Sequence, residues 1–172
     1  MDFFEAANKR HSVRAFKSET VPEEMLVRIL EALNLAPSAG NLQSYEVYLV
    51  RDAERKTALV TAARGQEFLL HAPVVLVFCA NARRAEERYG MRGTDLYAVQ
   101  DASIACTFAM LAATALGLAS TWVGSFSEAQ VSHLLGLPED QRPVALLPIG
   151  YGAETPAGRK RRPLGDLVHE AM

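Results

Sequence analysis

The chain has 172 residues, 49% of them hydrophobic and 22% charged, which are the proportions of an ordinary globular protein able to bury its own core. Its formal net charge of −2 argues against a nucleic-acid-binding protein, since such proteins usually carry a net positive charge. Two cysteines without a CxxC spacing and four histidines without a common ligand spacing argue against a disulfide framework and a zinc site.

The first half of the chain predicts helices and strands in mixed order. Asp2 is placed to cap a helix over residues 2–9, and Glu23 and Glu24 suit the positive N-terminal end of a helix over residues 22–36. The remaining predictions are a strand over residues 45–50, a helix over residues 52–64 with Asp52 as its cap, and a buried strand over the apolar residues 74–80.

The second half predicts one long helix among shorter elements. We expect a charged helical turn or two over residues 81–89, a loop over residues 90–94 and a long helix over residues 95–116 that Gly117 ends. Then follow a strand over residues 120–124, a helix over residues 128–135, a strand over residues 143–151 and an extended tail with at most one helical turn over residues 164–169. Since helices and strands do not alternate strictly, the sequence predicts one α+β domain over residues 1–172, with a central, mostly antiparallel sheet flanked by helices.

Residues 102–127 contain no charged residue and are long enough to span a bilayer. The segment is mostly alanine, however, with serines, threonines and a glycine among them, and alanine contributes little to membrane partitioning. We therefore expect a helix buried on most sides, followed by a buried strand, rather than a membrane span. The first residues lack the basic start and apolar core of a signal peptide, so a cytoplasmic protein is expected.

Two arginine-rich segments have the chemistry of a phosphate site. Arg10, Ser12 and Arg14 occupy every second position, so in an extended segment their side chains point to one side. Two guanidinium groups with a hydroxyl between them suit a phosphate, although on spacing alone a solvated basic turn is the favoured interpretation. The second segment, RKRR at residues 159–162, fits a phosphate clamp, a solvated run or a nucleic-acid patch.

Two further segments carry polar groups that a flat ligand needs. The turn PSAGNLQ over residues 37–43 combines small residues with Ser, Asn and Gln side chains, and it fits a plain helix-to-strand connection equally well. In TWVGSF, over residues 121–126, Gly124 and Ser125 lie at a predicted strand tip, where backbone N–H groups are free. Taken alone, this segment is better explained as a strand end before a helix cap.

The motifs of several common enzyme classes do not occur. There is no GxGxxG after a strand and no GxSxG elbow, and the glycines before Arg159 and Lys160 have the wrong spacing for a phosphate-binding P-loop. A bound cofactor that carries the chemistry itself therefore becomes the more attractive hypothesis.

Taken in order, these segments resemble the short nitroreductase-like FMN-dependent flavoproteins, and the resemblance runs from about residue 2 to residue 169. Its most specific stretch begins with YAVQD at residues 97–101 and continues through the alanine-rich helix. The matching segments that follow are ALGL at 115–118, TWVG at 121–124, LGLPED at 135–140, Arg142-Pro143 and PIGY at 148–151.

The resemblance implies a domain-entwined homodimer with two FMN sites at its interface, and it implies the residues of each site. Those implied to surround the ribityl phosphate are Arg10, His11, Ser12, Arg14, Arg159 and Arg161. Those implied to line the flavin are Pro37, Ser38, Ala39, Gly40, Asn41 and Gln43 from the partner subunit, and Val123, Gly124 and Ser125, with backbone N–H groups near the reactive ring nitrogen. The alanines implied to let the long helix approach its twin closely are Ala105, Ala109, Ala112, Ala113 and Ala115.

The implied function is an oxidoreductase that takes a hydride from NAD(P)H and passes electrons to a nitroaromatic, quinone or similar acceptor in ping-pong fashion. No catalytic side chain, metal, nucleic acid or membrane partner is expected. A same-fold enzyme for reductive dehalogenation or flavin fragmentation, and a flavin-binding protein without turnover, stay open. Two positions depart from the family pattern: Gln43-Ser44-Tyr45 replaces the common Gln-Pro-Trp, and Ser125 stands where Gly or Ala is usual.

Overall fold

An antiparallel sheet of four strands lies at the centre of the protein, in a computed structural model that describes residues 1–171. The strands are β1 (Tyr45–Val50), β2 (Val74–Asn81), β3 (Ala119–Ser120) and β4 (Gln141–Gly150). Their order across the sheet is β1-β2-β4-β3, and each neighbouring pair is antiparallel. Helices cover the sheet, so the predicted α+β fold with an antiparallel sheet is confirmed.

Seven α-helices lie within the described residues, and most of the predicted helices are among them. They are α1 (Phe3–Lys9), α2 (Glu23–Asn34), α3 (Ala53–Ala62), α4 (Phe68–His71), α5 (Ala82–Arg92), α6 (Ala98–Ala115) and α7 (Glu128–Leu135). Short 3-10 helices occupy Ala39–Asn41 and Leu164–Asp166, and a π-helical turn, Gly93–Tyr97, joins α5 to α6.

The helix starts follow capping signals in the sequence. The Asp2 carboxylate accepts a hydrogen bond from the Glu5 amide at 2.8 Å, and the Glu5 carboxylate accepts one from the Asp2 amide at 3.1 Å. This reciprocal capping box satisfies two amides that the first turn of α1 leaves free. Asp52 caps α3 in the same way through the Arg55 amide at 2.8 Å, so both predicted caps are confirmed.

Strand β2 is buried on both of its faces. Leu76 and Phe78 belong to the core between the sheet, α2 and α6, whereas Val75 and Cys79 belong to the core on the side of α3 and α7. Because side chains alternate along a strand, a strand covered on both faces has to be apolar throughout. The buried strand predicted over residues 74–80 is therefore confirmed. Burial raises the pKa of Cys79 to about 12, so this thiol stays protonated at neutral pH and packs as a small hydrophobic group.

Helix α6 packs on the sheet through one alanine-rich face. Ala102, Ala105 and Ala109 are fully buried and contact the core residues of β2 and β4. The helical run Ala82–Ala115 is apolar enough, by length and composition alone, to cross a membrane, with a mean hydropathy of 1.4 over its most apolar window. Its buried alanine face is that of a core helix, but 39% of that window is buried, so the helix predicted to be buried on most sides is buried on one face.

The burial of these alanines corrects one expectation about assembly. Ala105, Ala109 and Ala113 have no exposed surface, so they face the core of their own chain and are not available to a second helix. Ala112 is half-buried and Ala115 is exposed, and both line an apolar groove beside α1. Of the five alanines implied to meet a twin helix, these two remain candidates.

One predicted chain break is wrong. The loop predicted over residues 90–94 is helical, because α5 continues to Arg92 and the π-helical turn follows directly. Gly90 still redirects the helix, since its φ of 54° lies in the left-handed region. Gly93 then packs so closely on the Ala85 carbonyl that a Cβ atom would collide with it.

Most of the strand predicted over residues 120–124 does not form in the described part of the chain. Strand β3 covers Ala119–Ser120, and Val123 then forms an isolated bridge with Leu146 of β4. Ser120 ends the first pairing with β4 and Val123 forms the second, so the chain between these two residues is not part of the sheet.

Truncation of the core strand should destabilise the protein strongly. We expect Phe78→Ala to lower the free energy of unfolding by about 3–5 kcal/mol, because it leaves a cavity beneath α6. Urea denaturation at a fixed protein concentration measures this change. Leu49→Ala on β1, where the side chain is 43% exposed, is the matched control and should cost about 1 kcal/mol or less. Equal losses for the two variants would contradict this account of the core.

Candidate functional site

A cavity of about 530 Å³ lies between the start and the end of the chain. Two segments that are far apart in the sequence form its wall, one before β1 and one after β4. The lining residues are Arg10, His11, Ser12, Arg14, Pro156, Ala157, Gly158, Arg159 and Arg161. We call this the basic cavity, since four arginines and no Asp or Glu side chain line it.

The first of these segments runs extended from the end of α1 to the sheet. The Arg10 amide donates the last hydrogen bond of α1 to the Ala6 carbonyl at 2.9 Å. The Val13 amide donates to the Ser120 carbonyl at 3.1 Å, which joins the segment to β3. Val13 and Phe16 are buried, so apolar packing as well as hydrogen bonding fixes the backbone that carries the arginines.

Main-chain pairing then holds the tail against this segment. Residues 15–17 pair with residues 151–153 through two hydrogen bonds with N–O distances of 2.8 and 2.9 Å. The Glu154 carboxylate accepts hydrogen bonds from the Arg14 amide at 2.6 Å and the Ala15 amide at 3.2 Å. The Glu154 carboxylate is thus occupied by backbone amides. The main-chain pairing of residues 15–17 with residues 151–153 places the tail residues that follow in the wall of the basic cavity.

The arginines of the basic cavity have no acidic partner within 4.0 Å among residues 1–171. The ion pairs among residues 1–171 are Lys17–Glu19, Arg51–Glu23, Arg55–Asp52 and Arg142–Glu128. Guanidinium groups that converge without a carboxylate repel one another, and a phosphate dianion relieves that repulsion while accepting their hydrogen bonds. Within the same residues, no group of three or more His, Cys, Asp or Glu side chains is placed to hold a metal ion.

A buried carboxylate fixes the loop between α2 and β1. Asp101 of α6 is 2% exposed, and its two oxygens accept hydrogen bonds from the Ala39 amide at 3.0 Å and the Ser44 amide at 3.2 Å. The Ser38 hydroxyl accepts another from the Gln43 amide at 3.0 Å, which closes the loop on itself. One charge on a core helix therefore sets the positions of both ends of the loop.

The backbone of this loop is held in an uncommon conformation. Gly40, Asn41 and Gln43 have φ values of 56°, 58° and 51°, in the left-handed region that glutamine rarely adopts. The Gln43 side-chain amide donates to the Asn34 carbonyl at 3.2 Å and to its side-chain oxygen at 3.0 Å. Strained backbone that its surroundings hold in place is typical of ligand-binding segments, so the loop is a candidate binding element.

Two adjacent amides after β3 are free. The Val123 amide and carbonyl both pair with Leu146, at 2.9 and 3.0 Å, which fixes the backbone just before them. Gly124 and Ser125 are exposed, and neither amide has an acceptor among the hydrogen bonds of the described residues. The Ser125 carbonyl accepts a hydrogen bond from the Gln66 side chain at 3.1 Å. Two N–H groups on a fixed backbone are suitable donors to an atom that gains negative charge.

One chain brings some of the sequence-predicted site residues together and leaves others apart. The residues singled out at 10–14, 159 and 161 line one cavity. The loop residues 37–43 and the segment 123–125 have no part in the wall of that cavity. A ligand that uses all three groups therefore has to extend beyond the basic cavity.

Sequence reasoning missed two residues that organise these segments. Asp101 is the sole charged residue of α6, and a lone charge in an apolar helix is a signal of a buried partner that the sequence did contain. Glu154 lies in the exposed tail among other polar residues, and its two backbone contacts depend on long-range pairing, so no local pattern reveals it.

Comparisons with known proteins identify the family of the chain. The profile of the Nitroreductase family matches residues 7–66 and 56–151. A Thermus thermophilus protein named NADH dehydrogenase is 33% identical over 98% of this chain and 95% of its own length. A Bacillus subtilis protein named FMN reductase (NAD(P)H) is 34% identical over 92% of this chain and 69% of its own length.

A solved structure shares the whole architecture. The hypothetical oxidoreductase YcnD from Bacillus subtilis is 33% identical and superposes with a TM-score of 0.91, covering 100% of this chain and 75% of that chain. Since the family profile spans most of the sequence and the fold is shared over its full length, the chain belongs to the Nitroreductase family.

Proposed function

We propose that this chain is an FMN-dependent oxidoreductase that takes a hydride from NAD(P)H and reduces a small acceptor such as a nitroaromatic compound or a quinone. The observation that carries the proposal is the basic cavity, in which arginines from both ends of the chain meet without an acidic side chain. The similarity to a protein named FMN reductase (NAD(P)H) supports the choice of cofactor and electron donor. The chain acts as one FMN-binding domain over residues 1–172 and works in the cytoplasm.

The basic cavity fits the phosphate end of FMN. Its guanidinium groups supply charge-assisted, forked hydrogen bonds, and the Ser12 hydroxyl supplies a neutral donor between them. His11 lines the same wall. In this assignment the residues that hold the phosphate are Arg10, His11, Ser12, Arg14, Arg159 and Arg161.

The segment 123–125 fits the part of FMN that changes charge. When bound, FMN supplies a ring that accepts and donates hydride, so the protein needs no nucleophile or strong base of its own. In this assignment the amides of Gly124 and Ser125, which have no acceptor among the hydrogen bonds of the described residues, donate to a ring atom that becomes electron-rich on reduction. The pairing of Val123 with Leu146 holds both amides in place, so their dipoles need no reorganisation during the reaction.

A second copy of the chain completes the site in this proposal. In this proposal the loop residues Pro37, Ser38, Ala39, Gly40, Asn41 and Gln43, which do not line the basic cavity of their own chain, line the flavin of the partner, as the family resemblance implies. An apolar groove beside α1 and α6 is lined by Phe3, Phe108, Leu111, Ala112 and Ala115, and Phe3 and Phe4 are 64% and 79% exposed. Exposed apolar surface of this kind is typical of a subunit interface.

Spectroscopy of the purified protein tests the proposed function. We expect the absorption spectrum of an oxidised flavin, loss of its main visible band on addition of NAD(P)H, and recovery on addition of a quinone. Bound flavin that NAD(P)H does not reduce would indicate a flavin-binding protein without turnover. Protein that binds no FMN, even after addition of the free cofactor, would reject the proposal.

Arg10→Ala should weaken FMN binding through the phosphate alone. Loss of one charge-assisted partner is expected to cost about 1.5–3 kcal/mol, or about ten- to a hundredfold in Kd. Titration with FMN and with riboflavin separates the phosphate from the ring, and the riboflavin Kd should stay nearly unchanged. Lys160→Ala, in the same tail but outside the cavity wall, is the matched control. Equal losses for FMN and riboflavin would rule out the phosphate assignment.

Substitutions at Ser125 should separate its backbone from its side chain. Ser125→Ala keeps the amide and should retain most of the turnover. Ser125→Pro removes the donor and should slow flavin reduction by about a hundredfold and lower the flavin reduction potential. Stopped-flow reduction and potentiometry measure these effects, with FMN content and dimer content determined in the same samples. An FMN-loaded Ser125→Pro dimer with normal rate and potential would contradict this role.

Ala112→Glu should prevent assembly of the proposed dimer. A charge placed in an apolar interface without a partner costs about 3–5 kcal/mol, so the variant should sediment as a monomer or precipitate. Ala53→Glu is the control, since Ala53 is exposed in the first turn of α3, where an acidic side chain is favourable. A wild-type protein that sediments as a stable, FMN-loaded monomer would refute the dimer.

A further inference from the structure

An unusual cluster of arginines and tyrosines lies where α5 meets the π-helical turn. The Arg88 guanidinium lies 5.5 Å from the centre of the Tyr89 ring, and the Arg92 guanidinium lies 5.3 Å from the centre of the Tyr97 ring. The two rings meet edge to face with centroids 5.1 Å apart. The Arg92 Nε also donates a hydrogen bond to the Tyr97 hydroxyl at 2.9 Å. We call these four residues the Arg-Tyr cluster.

The charges of this cluster are not compensated by nearby carboxylates. Arg88 and Arg92 are exposed and have no Asp or Glu oxygen within 4.0 Å among residues 1–171. Three acidic residues, Glu86, Glu87 and Asp95, occur in the same stretch of sequence without pairing to them. Stability alone favours an acidic residue four positions from an arginine on a helix, so an exposed arginine pair that lacks one is available to an external anion.

The cluster lies directly beside the loop that we assign to the flavin. Arg88 donates to the Gly40 carbonyl at 3.4 Å, and Arg84, one turn earlier on α5, donates to the Leu42 carbonyl at 2.6 Å. The Tyr89 hydroxyl occupies the space where a side chain at Gly40 would lie. A ligand that reaches the flavin along this loop therefore passes the Arg-Tyr cluster.

We propose that the Arg-Tyr cluster binds the adenosine-phosphate end of the nicotinamide dinucleotide. Guanidinium groups pair with phosphate oxygens, and the Tyr89 and Tyr97 rings hold the Arg88 and Arg92 guanidinium groups beside one another for that pairing. The dinucleotide has to place its nicotinamide at the flavin, so its other end extends past the rim of the loop. The identity of this ligand rests on the function proposed above, whereas the binding of a nucleotide phosphate at the cluster does not.

Binding of nucleotide fragments tests the cluster without any redox reaction. Calorimetry on the purified protein, used with the flavin that it retains, measures the Kd of 2′,5′-ADP and of 5′-ADP. The first fragment carries the 2′-phosphate of NADPH. The second carries the diphosphate that NADH and NADPH share. Tighter binding of 2′,5′-ADP assigns the cluster to the 2′-phosphate, and tighter binding of 5′-ADP assigns it to the diphosphate. Equal binding assigns it to the adenosine 5′-phosphate that both fragments share.

The variants decide whether these residues form the site. Arg92→Ala should weaken the tighter fragment by about ten- to a hundredfold, because its contacts within the chain are limited to Tyr97 among the described residues. Tyr97→Leu should weaken it as well, and Tyr97→Phe should weaken it less, since the ring is kept. Raising the salt concentration should weaken binding to the wild type more than to Arg92→Ala.

A matched control removes a positive charge from the same helix. Arg83 is exposed on α5 and makes no side-chain hydrogen bond or ion pair among those of the described residues, so Arg83→Ala should leave both Kd values unchanged. Equal effects of Arg83→Ala and Arg92→Ala, or no binding of either fragment to the wild type, would overturn the proposal. Loss of flavin reduction with fragment binding intact would instead reject the proposed function and leave the cluster assignment standing.

Discussion

The pairing of the two ends of the chain is the constraint on which the candidate site depends. Residues 13–17 contact β3 and residues 151–154, and this contact alone brings the arginines of the two segments into one cavity. Guanidinium groups that approach one another in water repel by about 1 kcal/mol for each close pair. Burial of the Val13 and Phe16 side chains stabilises the same contact by about 1.5–3 kcal/mol each. The fold therefore holds the arginines together without help from an anion, and the energy of neutralising them is available for ligand binding.

Asp101 has a comparable role for the loop between α2 and β1. A buried carboxylate is unfavourable unless hydrogen bonds satisfy it, and here two backbone amides from opposite ends of the loop do so. The loop also contains Gln43 with a positive φ, a conformation that costs about 1–3 kcal/mol. The two unfavourable features are connected, because the positive-φ residues lie between Ala39 and Ser44, whose amides both donate to the buried charge. Replacing Asp101 would leave the loop amides without their acceptor, and a relaxed loop would leave the buried Asp101 carboxylate without its donors.

Local patterns predicted those parts of the fold that local chemistry determines. The caps Asp2 and Asp52 and the apolar strand at residues 74–80 depend on neighbouring residues, and their predictions are confirmed. The loop predicted over residues 90–94 is helical, and Gly93 within it packs closely on Ala85, a contact that no local pattern shows. The spacing of the arginines alone favoured a solvated basic turn, because the meeting of the two arginine segments in one cavity depends on contacts between the two chain ends, which no sequence window contains. Glu154 was missed for the same reason.

A site divided between two chains has a thermodynamic consequence for assembly. In the proposed dimer the basic cavity of one chain holds the phosphate, and the Asp101-anchored loop of the other chain meets the ring. A ligand that contacts only the cavity binds a monomer and a dimer equally well, so it cannot shift the equilibrium between them. In the proposed dimer FMN contacts both chains and therefore binds the dimer more tightly than the monomer. Where the monomer does not bind FMN, each site stabilises the dimer by RT ln(1 + [L]/Kd), or about 2.7 kcal/mol at a free FMN concentration a hundredfold above Kd. FMN binding and subunit association are therefore coupled, because the contacts between the ring and the loop contribute to both. A loop that is already rigid loses less conformational entropy on binding, so more of the free energy of those contacts remains to stabilise the dimer.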